Sequence, residues 1–237
     1  MNNIRWYPDN KEELIILLKT LFLKEKESEK KEDIHGFILP HAGYAYSGSI
    51  VAKALSLLKE SPKRAIIIGP SHYHYFYGIK TLKSIKTPLG NVKIVKSKYS
   101  EIDYEHSIEN QVPFLQFLNK NIEILPLVIG EISSDEAEQI AIKLLKEKNG
   151  LFIFSTDLSH FLNYEKAKHK DKKTIKIIEE IKLSEFKEID ACGNKAILIL
   201  MHLCNLAKWK PKLIEYKNSG DITEEKNRVV GYASFFF

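Results

Sequence analysis

Four histidines stand where chemistry could be done. His41 follows the apolar run Phe37-Ile38-Leu39 across Pro40, and Gly43-Tyr44-Ala45-Tyr46-Ser47-Gly48 comes next. His72 follows Ala65-Ile66-Ile67-Ile68 across Gly69-Pro70-Ser71, and Asp157 and His160 follow Leu151-Phe152-Ile153-Phe154. His106 stands in Glu105-His106-Ser107-Ile108-Glu109, at a helix start. Imidazole is the commonest metal ligand and the side chain best suited to proton transfer near neutral pH. One histidine in a loop is ordinary. Four in matched settings point to a shared site, because ligands of open α/β sheets bind just beyond the carboxyl ends of the strands. His35, His74, His169 and His202 lack that placement.

Other groups fall close by. His106 and Glu109 are three residues apart and would share a helix face. A histidine beside carboxylates acts as a general acid or base or supports a metal ligand, and helix capping is the plainer role for Glu109. Asp157 and His160, also three apart, could coordinate, move protons or bond to backbone. Cys192, within Asp190-Ala191-Cys192-Gly193, precedes or opens the last long helix. A helix terminus there would acidify the thiol and make it a nucleophile or ligand. A small buried apolar group is the other reading. Cys204 sits inside the apolar helix and is assigned to the core. Tyr44, Tyr46, Tyr73, Tyr75 and Tyr77 lie near the first two loops as candidates to line a pocket. There is no glycine-rich phosphate loop, HExxH, CxxC or GxSxG, so no nucleotide cofactor is expected.

The elements that must position these groups alternate between two periods. Apolar runs at 35–39, 65–68, 122–130 and 151–155 read as core strands, with shorter strands at 79–85 and 92–95 around a Pro88-Leu89-Gly90-Asn91 turn. Helical stripes cover 10–23, 49–58, a helix from Glu105 through Leu118, 133–148 with Ser133 or Ser134 as N-cap, 165–182 and 196–206. Two strands, near 213–217 and 229–236, follow. The alternation predicts a single α/β domain over 1–237 with a central mixed sheet flanked by helices. His41, His72 and His160 should then share one edge of that sheet.

The chain has 237 residues, 36 Lys and Arg against 31 Asp and Glu, and two cysteines. Its net charge of +5 is interspersed rather than clustered, which argues for solubility and against a nucleic-acid partner. The run Lys24 to Asp33 reads as a solvated segment. No apolar run reaches the roughly 18–20 residues that span a bilayer, and the first residues lack an apolar signal core, so no membrane association and a cytoplasmic location are expected. Two cysteines exclude a disulfide framework.

Pro40-His41-Ala42-Gly43-Tyr44-Ala45-Tyr46-Ser47-Gly48, Gly69-Pro70-Ser71-His72, Glu105-His106-Ser107-Ile108-Glu109, Asp157-Leu158-Ser159-His160, Cys192-Gly193 and Ser219-Gly220-Asp221 occur in one order. That order resembles the Memo family, named for a mediator of cell motility, whose microbial members are called AmmeMemoRadiSam system protein B. The likeness runs from Trp6-Tyr7-Pro8 to Val230-Gly231-Tyr232-Ala233. It implies a fold similar to the class III extradiol dioxygenases, the LigB-like non-haem iron enzymes. It also implies a metal site at His41, His72 and Cys192, with His106, Glu109, Asp157 and His160 as the other pocket residues. Two departures stand out. The upstream His-Ala-Gly-Ser segment of the family pattern is missing, so a more open pocket wall is expected. A non-proline residue follows Cys192-Gly193, which leaves the start of the last helix undecided.

Two functions follow. The first is a metal-dependent oxidoreductase. Two histidines and a carboxylate form the usual oxygen-activating iron site, and a thiolate in the third place is softer and favours Fe(II) or Cu(I). The second is a non-catalytic protein that binds a peptide, a small aromatic ligand or a partner in the same pocket. The resemblance implies AMMECR-like and radical SAM partner proteins.

Overall fold

The computed structural model of the chain describes residues 6–25, 29–147 and 150–237. Residues 1–5, the middle of the 24–33 charge run and the end of the helix expected over 133–148 lie outside the described residues. The first half contains α1 (Lys11–Leu23), β1 (Gly36–Leu39), α2 (Tyr44–Leu55), β2 (Arg64–Pro70) and β3 (Ile79–Leu82). Short strands β4 (Lys86–Thr87), β5 (Gly90–Asn91), β6 (Lys93–Ile94) and β7 (Glu101–Ile102) follow, then α3 (His106–Glu109) and α4 (Val112–Leu118). The second half holds β8 (Glu123–Ile129), α5 (Ser134–Leu144), β9 (Leu151–Ser155), β10 (His160–Leu162) and α6 (Tyr164–Glu179). It continues with α7 (Asn194–Ala207), β11 (Lys212–Asn218), α8 (Gly220–Thr223) and β12 (Val229–Phe236).

The chain is an α/β protein with a mixed sheet. Its spine runs β10-β12-β1-β9-β2-β8-β3-β7. Strands β1, β9, β2 and β8 are parallel, and β12 and β3 close this core antiparallel on either side. Side chains alternate across it. Phe37, Leu39, Ala65, Ile67 and Ile153 face a core built with α1, α2 and α4. Ile38, Ile66, Ile68, Phe152 and Phe154 face the opposite core, with α5, α6 and α7. Burial of both faces is why these strands read as continuous apolar runs rather than as alternating ones.

This strand order positions the chemistry. Leu39 pairs with Ser155, and Ile68 pairs with Phe154, so the carboxyl ends of β1, β9 and β2 lie side by side. His41, Asp157 and His72 each follow such an end by two residues.

The expected helix from Glu105 through Leu118 is two helices, not one. Pro113 opens α4, and the side chains of Asn110 and Gln111 turn to the carbonyls of His41 and Pro40 at 2.6 and 2.9 Å. Helix α2 starts at Tyr44, five residues before the sequence expectation, because Gly43 and not Ser49 ends the loop. Helix α7 starts at Asn194, with Gly193 as its N-cap. Ser133 caps α5 in a reciprocal box with Glu136.

Gly69 lets α3 settle on the end of β2. A Cβ there would lie 2.6 Å from Ser107 Oγ and 3.1 Å from Ile108 Cδ1. Ser107 Oγ meanwhile donates to Pro70 O at 2.8 Å and holds the contact closed. Gly69→Ala should therefore lower stability by about 1–3 kcal/mol through overpacking. A lower denaturant midpoint, with amide shifts concentrated at residues 105–109, checks this.

Candidate functional site

His41, His72 and His106 converge at the carboxyl edge of the sheet, with donor atoms within 4.8 Å of one another. The ring centroids of His41 lie 5.1 Å from His72 and 5.3 Å from His106, and those of His72 and His106 lie 4.3 Å apart. His41 is buried and fixed on several sides. Its N–H donates to Asp157 Oδ1 at 2.8 Å, and Nδ1 lies 2.9 Å from Ser155 Oγ, which also accepts from Gln111 Nε2. Nε2 lies 3.3 Å from Cys192 Sγ. Burial, helped by His72 and His106, holds His41 well below the usual imidazole range, so the ring is neutral.

Glu105 is fully buried beneath the other two imidazoles. Its Oε2 accepts the His72 N–H at 2.7 Å, and its Oε1 accepts from His72 Nδ1 at 3.0 Å and Ser107 N at 3.1 Å. His106 Nδ1 lies 3.2 Å from the same oxygen without the alignment of a hydrogen bond. Burial pushes Glu105 up, but the nearby His106 imidazole and the hydrogen bonds from His72 and Ser107 outweigh it and hold the carboxyl well below its ordinary value. A carboxylate on Nδ1 keeps the proton there and leaves the His72 Nε2 lone pair free, the arrangement that orients imidazole ligands. Trp6 stacks on His106 with centroids 4.4 Å apart and planes within 3°. Burial also lowers His106, against the opposing pull of Glu105.

These groups open onto a cavity of about 610 Å3 that Asp157, His160, Tyr46, Phe161, Val230 and Tyr232 also line. His160 Nδ1 donates to Leu158 O at 2.8 Å, so Nε2 is the nitrogen with a lone pair to offer. Burial pushes Asp157 up to about 6, against hydrogen bonds from the His41 and Ala42 backbone.

The other expected residues sit further out. Glu109 does not line the cavity; its Oε1 accepts the Tyr7 hydroxyl at 2.6 Å. Cys192 lies behind His41, in a small cavity of about 100 Å3 shared with His74, Glu131 and Lys195. The Asp157 N–H donates to its Sγ at 3.2 Å. The thiol is not acidified as its position near a helix start suggested. Burial and the Asp157 carboxylate push it up to about 12, the value burial alone gives Cys204. Of the five tyrosines near the first two loops only Tyr46 lines the main cavity; Tyr44 is buried and donates to Asn110 O at 2.8 Å, and Tyr75 and Tyr77 face solvent.

The Memo-like protein family model matches residues 5–236. The chain belongs to the Memo family. A MEMO1 family protein of Methanobrevibacter smithii is 33% identical over 98% of this chain and 96% of that protein. Those of Aeropyrum pernix, at 34% over 96% and 94%, and Sulfolobus acidocaldarius, at 36% over 85% and 81%, are also similar. Among the described residues, no helix of this Memo-family chain is long and apolar enough to cross a membrane.

Three residues that fix this site carried little chemical signal in the sequence. Glu105 was visible only as part of a polar group beside His106, Trp6 only as the start of the family likeness, and Ser155 only as the end of an apolar run. Glu105 carries a pH signature. Because its folded-state value is depressed, its stabilising contribution is complete above its ordinary value of 4.5 and is lost as pH falls below that. The wild type should lose stability more steeply than Glu105→Gln below pH 4.5, and urea midpoints across pH 3–7 measure the difference.

Proposed function

We propose that the protein is a metal-dependent oxidoreductase whose metal, Fe(II) or Cu(I), is held by His41, His72 and Cys192, with His106 in reach as a further donor. The observation that carries this reading is the convergence of three imidazole donors within 4.8 Å at the mouth of an open cavity. Cys192 Sγ, 3.3 Å from His41 Nε2, adds a soft donor. Imidazoles, and a thiolate formed as the metal displaces the thiol proton, suit a borderline or soft transition metal. Such a metal, when bound, supplies redox chemistry that no side chain here offers.

The remaining groups handle protons and position. Asp157, poised near 6, and His160, with its Nε2 lone pair, are placed to take or return a substrate proton in the cavity. His106, stacked on Trp6, does the same from the other wall unless it ligates. Glu109 acts through Tyr7 by fixing the segment that carries Trp6. A non-catalytic binding role is the second reading. The exposed rim aromatics Tyr46 and Phe161 favour it.

Anaerobic titration with Fe(II) and Cu(I) tests the assignment. His41→Ala, His72→Ala and Cys192→Ala should each cost more than the roughly 10–100-fold typical of residues that only orient ligands. His160→Ala and Glu109→Gln should stay within that range. His106→Ala distinguishes a ligand from a proton carrier by the same measure. Wild-type affinity in all three ligand variants would leave the binding role as the better description.

A further inference from the structure

Helix α6 turns lysines to solvent and one acid to the interior. Lys170, Lys172 and Lys173 are exposed, and Asp171 among them is fully buried. Two donors reach its carboxyl. The Ser159 N–H donates to Oδ1 at 3.0 Å, and the Tyr216 hydroxyl donates to Oδ2 at 2.8 Å. A carboxyl that only accepts is the ionised form. Lys170 pairs with Asp190 instead, at 2.6 Å. Burial raises the Asp171 carboxyl, and the hydrogen bonds from Ser159 and Tyr216 oppose that. Strand β12 makes room for it, because a Cβ at Gly231 would overlap Oδ2. A buried carboxylate without a cation is costly, and an apolar residue would pack α6 without that penalty.

The use of this anion lies in the N–H it serves. The Ser159 N–H and the Leu158 C=O belong to one peptide unit, and in a trans peptide they point in opposite directions. Leu158 O accepts from His160 Nδ1 at 2.8 Å. Strand β12 clamps the unit on both sides. The Leu158 N–H donates to Gly231 O at 2.8 Å, and the Gly231 N–H donates to Ser159 O at 2.9 Å. One planar amide therefore joins a buried anion to an imidazole that lines the cavity. An anion on the N–H makes the carbonyl oxygen more negative and a stronger acceptor, because hydrogen bonds in series polarise one another.

We propose that Asp171 is the positioning residue of His160, acting through the Leu158–Ser159 peptide to hold the imidazole proton on Nδ1 and keep the Nε2 lone pair for the cavity. Which ring nitrogen carries the proton is set by the bond that the other elements of the fold offer it. Asp171 itself does not line the cavity. Its meaning for chemistry rests on the reading of His160 as a proton carrier.

The test is the tautomer of His160 in metal-free, full-length, isotope-labelled protein. Long-range proton–nitrogen correlation spectra of the imidazoles, taken above the imidazole titration range, report it. Wild-type His160 should be almost wholly the Nδ1–H form. Asp171→Ala should lower the share of that form at least about twofold. Asp171→Asn keeps an acceptor without the charge and should lie between the two. Two controls separate this role from general loosening of the fold. Tyr216→Phe removes the other bond to the carboxylate and should leave His160 as in the wild type. His72, whose Nδ1 is held by Glu105, should keep its tautomer in every variant. A wild-type His160 ratio in Asp171→Ala or in Asp171→Asn would overturn the proposal, and Asp171→Asn decides alone if Asp171→Ala does not fold. So would a dominant Nε2–H form in the wild type, or an equal change at His160 in Tyr216→Phe or at His72. The same preparations are titrated separately with Fe(II). A His160 that responds to Asp171 in protein that binds no metal leaves this proposal standing while the oxidoreductase reading fails. Metal binding with a His160 indifferent to Asp171 overturns this proposal alone.

Discussion

A carboxylate taken out of water must recover its lost hydration from protein donors, or it protonates. Glu105 meets that constraint with two backbone N–H groups and the imidazole of His72, and His106 lies close on the same oxygen. Each donor it requires belongs to a segment that carries a site residue. The loop after β2 is drawn to the start of α3, and two imidazoles are oriented in the process. The histidine cluster is thus partly a by-product of satisfying one buried anion. A protein that lost that anion would lose the reason for the loop and helix to meet as they do.

The same economy recurs around His41. Its backbone N–H and ring nitrogen are fixed by Asp157 and Ser155, both from the β9 strand and loop, while the turn between α3 and α4 secures the carbonyls on either side. This works only because β9 lies between β1 and β2 in the sheet. Had β1 and β2 been neighbours, as they are in sequence, the histidine loops would have met with no acidic residue between them. Strand order, more than any single side chain, decides that imidazole and carboxylate share the cavity.

Much of this was legible from residue patterns, and the failures have physical causes. Apolar runs ending at Pro40, Gly69-Pro70 and Ser155 gave the strands and the loops, because strands buried on both faces must be continuously apolar. The break in the 105–118 helix was hidden, since Asn110 and Gln111 are tolerable helix residues whose real partners are 69 and 71 positions away. Strand β10 was missed because His160-Phe161-Leu162 is too short to show a period. The thiol of Cys192 was misread for a related reason. Proximity to a helix start is local, whereas the burial and the Asp157 carboxylate that dominate its environment come from tertiary structure.

The seating of β12 beside β1 bears on how the molecule comes to exist. Phe37 pairs with Phe236, so the first core strand to be made shares its edge with β12, the last strand of the sheet in chain order. Its other edge waits for β9, whose Ile153 lies opposite the same Phe37. Contacts so distant in sequence incur the loop-closure cost before they return any packing energy, which slows folding and prolongs exposure of apolar edges. During synthesis the histidine loops therefore exist for some time as unpaired segments. The cluster can take its final form only after β9 and β12 have been delivered, which ties the birth of the site to strands made long after the first histidine loop.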